Sequence, residues 1–126
     1  MVLIIGGAYQ GKLDYALRRF GLTDGDVYRC EIDNAETPAE KCAVYGLDKW
    51  ILALLKAGMD TAEAVRRFAD ANGAAVVICD DISCGVVPID PLERKWREAT
   101  GRALVELSKS ADEVVRLFCG IPTKLK

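Results

Sequence analysis

The chain has 126 residues, 51% of them hydrophobic, and 17 basic against 19 acidic side chains give a formal net charge of −2. That length suits one domain, 1–126, able to bury roughly two-thirds of its unfolded surface without cross-links. The charge balance argues against a nucleic-acid surface, and the lack of an apolar run of about 18 residues argues against a membrane span. Val2 to Ile5 is a continuous apolar run that reads as a buried parallel strand ending in Gly6-Gly7. Lys12 to Phe20 follows with helical spacing, and Gly21 closes it. Val27 to Ile32 is a weaker strand leading into the turn Asp33-Asn34.

Thr37-Pro38-Ala39-Glu40 has the make-up of a helix start: Thr37 to cap, Pro38 at the first position, Glu40 to reach back. The spacing predicts a helix from there to about Ala57, with Gly46 a weak point inside it and Gly58 its stop. A second helix starts at Asp60 or Thr61 and stops at Gly73. Ala75 to Cys79 reads as a buried strand, Asp80 to Pro91 as a loop, Leu92 to Lys109 as a helix, and Glu113 to Phe118 as the last strand. Strands alternating with helices predict an α/β fold with a mainly parallel sheet of about four to five strands.

Histidine is absent. This chain therefore has no Ser-His-Asp or Cys-His catalysis, no His-ligated zinc and no phospho- or nucleotidyl-histidine intermediate. The five cysteines, at 30, 42, 79, 84 and 119, include no C-x-x-C pair. With no basic leader before the first strand, free thiols in a reducing cytoplasm are expected. Cys30, Cys42, Cys79 and Cys119 read as buried, and Cys84 as a small loop residue with no visible base beside it.

Gly6-Gly7-Ala8-Tyr9-Gln10-Gly11-Lys12 fits G-x-x-x-x-G-K, between a buried strand and a helix. Glycines let successive N–H groups face inward, the helix N-terminus adds partial positive charge, and Lys12 supplies a full charge to phosphates. The next position needs a hydroxyl to hold magnesium, and here it is Leu13. A phosphate cradle is expected with one metal ligand missing; the plain alternative is a strand–turn–helix corner with Lys12 solvated.

From these residues a family resemblance emerges. Gly6-Gly7-Ala8-x-x-Gly11-Lys12 resembles the G-G-A-R-S-G-K-S opening of bifunctional adenosylcobinamide kinase/adenosylcobinamide-phosphate guanylyltransferases of cobalamin biosynthesis. The stretch from Val76 through Asp80-Asp81 to Gly85-Val86-Val87-Pro88 resembles V-V-L-V-(T/S)-N-E-V-G-x-G-(I/V)-V-P, allowing one residue of slack at the strand. Arg94-x-x-Arg97-Glu98-x-x-Gly101-Arg102 resembles R-x-x-R-D-x-x-G-R. Ala111-Asp112-Glu113-Val114 and Gly120-Ile121-Pro122 to Lys126 are similar to the family's C-terminal segments. The likeness spans residues 1–20 and 75–126.

The middle departs. Tyr45 stands where the family has a strand-end acid, Ala53 where it has Asn, and the segment carrying the guanylyl-accepting histidine is shorter. The resemblance also puts a strand before Tyr45, where the capping pattern at Thr37 argues for helix. The helix is the reading taken here, which leaves Glu31 or Asp33 as substitute acids near the phosphates.

The resemblance implies a P-loop NTPase-like three-layer domain. It implies GTP or ATP with Mg2+ on Gly6, Gly7, Ala8, Tyr9, Gln10, Gly11, Lys12 and Leu13, with magnesium weakened by Leu13. Lys12 and Asp81 are the implied catalytic residues, for phosphorylation of cobinamide. A homo-oligomer, a trimer by family likeness, is also implied. The guanylyl-transfer half is expected to be missing, and a non-catalytic nucleotide-binding or structural relative is the alternative. Asp80-Asp81 either holds magnesium through water or opens a turn. Arg94, Arg97 and Arg102 either clamp phosphates or lie on a solvated face paired with Glu93 and Glu98.

Overall fold

In a computed structural model describing residues 1–126, the apolar run near the N-terminus forms β1 (Val2–Gly6), which lies inside the sheet. The chain continues through α1 (Lys12–Phe20), a short 3-10 turn at Asp24–Asp26, β2 (Val27–Arg29), β3 (Ala43–Tyr45), α2 (Leu47–Lys56) and α3 (Thr61–Ala71). It ends with β4 (Val76–Asp80), α4 (Pro91–Ser110), β5 (Glu113–Phe118) and β6 (Ile121–Lys124). The six strands run in the order β2-β3-β4-β1-β5-β6. All neighbours are parallel except the terminal β5–β6 pair.

Strand side chains alternate between faces, so a sheet covered on both sides reads as an unbroken apolar run. Ile4, Ile78, Val115 and Leu117 pack on one face with Ala16 of α1. Leu3, Val44, Val77 and Val114 pack on the other with Leu47, Trp50, Ile51 and Leu54 of α2, Val65 and Phe68 of α3 and Leu107 of α4. The result is the expected three-layer α/β domain. No helix is long and apolar enough to cross a membrane.

Three expectations are corrected. The long helix from Thr37 is not formed: Ala43–Tyr45 is β3, hydrogen-bonded between β2 and β4, and α2 begins only at Leu47. Backbone pairing decides this, because a strand there satisfies the facing edges of both neighbours while burying Ala43 and Val44 on opposite faces. Gly46, taken as a flaw within a helix, is the left-handed residue (φ 81°) where strand gives way to helix.

The sheet has six strands rather than four or five, because Ala43–Tyr45 joins it between β2 and β4 and Ile121–Lys124 turns back antiparallel on β5. Cys42 and Cys119 are exposed, not buried. Cys42 lies at a bend just before β3, and Cys119 sits in the β5–β6 turn with a left-handed backbone.

Candidate functional site

In a parallel sheet, ligands bind at the carboxyl edge of the strands. Here β1, β3 and β4 end in the glycine-rich loop, in Tyr45-Gly46 and in Asp80. Only glycine fits the exit of β1: a β-carbon on Gly6 would lie 2.5 Å from the Leu117 carbonyl oxygen of β5. Tyr9 then takes a left-handed backbone and points its ring into solvent. Gln10 ties the loop to the β5–β6 turn, its side-chain oxygen accepting the Cys119 N–H at 2.6 Å and its carbonyl the Gly120 N–H at 3.1 Å.

The first backbone bond of α1 runs from the Tyr15 N–H to the Gly11 carbonyl at 3.0 Å. The amides from Gly7 to Asp14 have no acceptor elsewhere in the chain. They belong to the loop and first turn that open a helix, where the backbone dipoles leave partial positive charge.

Lys12 is 4% exposed and turned inward beneath the loop. Its Nζ lies 2.7 Å from Asp80 Oδ1 and donates to the Gly7 carbonyl at 2.6 Å. The expected free ammonium is thus matched by a carboxylate, and the residue that matches it is Asp80. Asp81 instead closes its own turn, accepting from the Ser83 amide at 3.0 Å, the Ser83 hydroxyl at 2.5 Å and the Cys84 thiol at 3.7 Å. Partial burial pushes the Asp81 carboxyl up, but these bonds and the Arg116 charge bring it net below its ordinary value.

Behind Asp80 lies Asp48 in the first turn of α2, 3% exposed. Asp48 Oδ1 accepts the Asp80 backbone N–H at 3.1 Å, and its carbonyl accepts the Trp96 indole N–H at 2.7 Å. Burial raises the Asp48 carboxyl, outweighing the Asp80 amide that lowers it, and the Asp80 charge adds to the rise. Cys79 lies next to this pair. Burial and the Asp48 charge drive its thiol well above the ordinary value, and the same two causes push Cys30 to about 12. Neither thiol is a nucleophile near neutral pH.

The arginines are engaged elsewhere. Arg94 donates to the Ile89 carbonyl at 2.7 Å and to the Pro88 carbonyl at 3.3 Å. Arg97 donates to Val86 O at 2.8 Å and also to Ser83 O. Both therefore brace the loop between β4 and α4 from the helix face they share. Arg102 pairs with Glu98 at 2.5 Å in the open. Asp33 pairs with Lys56 at 3.2 Å, and neither it nor Glu31 lines the loop's hollow.

That hollow has a volume of about 300 Å3 and is bounded by the loop together with Lys12, Leu13, Asp14, Tyr45, Lys49 and Asp80. Sequence reasoning missed Lys49 and Asp48. Placing both inside a long helix hid that they follow a strand end at the same sheet edge as the loop. The hollow suits an anion better than a cation. No group of three or more His, Cys, Asp or Glu side chains is placed to hold a metal ion, Leu13 offers no oxygen, and one oxygen of Asp80 is bonded to Lys12. These residues do not make a magnesium site by themselves, without oxygens brought by a nucleotide.

Comparison with known families gives a match between residues 32–125 and the family described as cobinamide kinase / cobinamide phosphate guanyltransferase. The matched stretch begins after the glycine-rich loop and includes β3, α2, β4, α4 and β5. No curated protein matches the sequence significantly.

Proposed function

Because the chain belongs to the cobinamide kinase / cobinamide phosphate guanyltransferase family, we propose that it binds the phosphates of GTP or ATP in the loop hollow and that its chemistry is confined to the kinase half. One observation carries this reading: the amides from Gly7 to Asp14, in the loop and first turn of α1, have no acceptor in the chain and share a hollow with the buried Lys12. Such amides bind phosphate oxygens with little reorganisation, and the helix dipole favours the charge.

In the transfer, a hydroxyl of cobinamide attacks the terminal phosphorus as the bond to the bridging oxygen breaks, and the hydroxyl proton passes to solvent. The loop amides hold the charge left on the departing diphosphate. Lys12 and Asp80 act as a pair, Asp80 being the carboxylate placed to orient a hydroxyl while Asp81 is held in its turn. Guanylyl transfer through histidine is not available to a chain that contains none.

A second reading, binding without transfer, is favoured by Leu13 and by the 2.7 Å Lys12–Asp80 pair. Calorimetry with GTP and ATP, with and without Mg2+, tests binding. Turnover of labelled nucleotide with cobinamide separates the kinase from the binder. A covalent guanylyl adduct seen by mass spectrometry after incubation with GTP would contradict both.

The homo-oligomer implied by resemblance is proposed to use the exposed apolar residues Phe118, Ile121 and Leu125 around the β5–β6 hairpin. Sedimentation of the protein and of Phe118→Ser tests that assignment.

A further inference from the structure

Charge accounting around the hollow singles out a residue that the glycine-rich motif does not contain. Lys12 is matched by Asp80 at 2.7 Å, and Asp14 by Arg18 at 3.4 Å. Lys49, also on the wall of the hollow, has no carboxylate within ion-pair distance, and its charge acts only more weakly on the neighbouring buried Asp48. Its ammonium lies 5.8 Å from the centroid of the Tyr45 ring, which lines the same hollow. Its stem crosses Gly46 closely, since a β-carbon there would come within 3.4 Å of Lys49 Cδ. The stem thus runs past Gly46, and its ammonium lies near the Tyr45 ring, which Arg29 also approaches at 5.5 Å.

Its place in the helix makes the same point. Lys49 is in the first turn of α2, where the helix dipole disfavours a cation. Helix stability does not account for a lysine there, whereas a bound anion relieves the repulsion.

We propose that Lys49 is the cation that neutralises the outer phosphates of a nucleoside polyphosphate held by the loop, Lys12 being matched internally by Asp80. The inference rests on the phosphate-binding reading of the hollow. It adds a ligand contact from the strand–helix corner at Tyr45-Gly46, across from the loop.

The test is calorimetric titration of the full chain with GTP and, separately, with inorganic tripolyphosphate. Lys49→Ala is expected to weaken both by roughly tenfold, the loss of one charge-assisted contact. Lys49→Arg should stay within about threefold of the parent, because it keeps the charge. Lys56→Ala, on the same helix but outside the hollow, should change nothing. Thermal unfolding of each variant confirms that it is folded. If the parent binds both probes and Lys49→Ala binds them equally well, the Lys49 assignment is overturned while the phosphate-binding reading stands. If the parent binds neither probe, the reading of the hollow fails and the Lys49 assignment falls with it.

Discussion

The Asp48 carboxylate accepts the backbone N–H of Asp80 at 3.1 Å, so one buried acid fixes the strand end that presents another. Because burial raises the Asp48 carboxyl, the folded chain holds its proton more tightly than the unfolded chain does. Asp48 therefore favours folding below the ordinary carboxylate value of about 3.9, and that contribution is lost as pH rises through the raised value. Asp48→Asn keeps an oxygen for the Asp80 amide without the charge. It is expected to gain stability on the parent as pH rises from about 4 to 7, as urea unfolding across that range will measure. Asp48→Ala leaves the amide without an acceptor and should cost roughly 1–3 kcal/mol at neutral pH.

The Lys12–Asp80 pair gives opposite expectations for its two members. Lys12→Ala leaves the Asp80 charge unmatched beside the phosphates and should weaken GTP binding by roughly tenfold or more. Asp80→Asn frees the ammonium and should tighten it several-fold. The double variant should fall between the two. A tighter Lys12→Ala or a weaker Asp80→Asn in calorimetry would show that the pair does not stand between the loop and its ligand.

Gly6 is held by close approach rather than by the motif alone. The added β-carbon of Gly6→Ala meets Leu117 O at 2.5 Å, and the φ of 155° is one that side chains rarely adopt. A loss of roughly 2 kcal/mol in chemical denaturation is expected. An unchanged midpoint would mean that β1 and β5 separate easily at this edge.

Phe68 is fully buried, with its ring centroid 5.5 Å from that of Trp50. Phe68→Ala should cost roughly 3–5 kcal/mol, through lost burial and the cavity left between α2 and α3. Trp50 lies beside that cavity, and its fluorescence should report the unfolding at lower denaturant.

The long elements were legible because they carry enough periodic residues to reveal their period: β1 and β4 as apolar runs, α1, α3 and α4 by their stripes and stops. β3 was not legible from local pattern, although the family resemblance put a strand before Tyr45: three residues are too few to carry a pattern, and the capping sequence at Thr37 mimics a helix start. What makes Ala43–Tyr45 a strand is two distant partners, at Val27 and Val76, which local spacing does not show. β6 was hidden by Pro122, which an edge strand tolerates.

At the site, the loop could be read from its spacing, but not which of Asp80 and Asp81 meets Lys12. That depends on β4 ending at Asp80 and the turn opening at Asp81. The shared face of Arg94 and Arg97 was likewise readable from their spacing. The carbonyls that occupy it come from a loop with no regular pattern.

Amide NMR of the 13.7 kDa chain during a GTP titration shows whether the loop amides receive the phosphates. The largest shifts are expected at the amides of Gly7 to Asp14, saturating with nucleotide, with Lys49 and Tyr45 moving alongside. Saturating nucleotide that leaves the Gly7–Asp14 amides in place, or that shifts only resonances on another face, would contradict it.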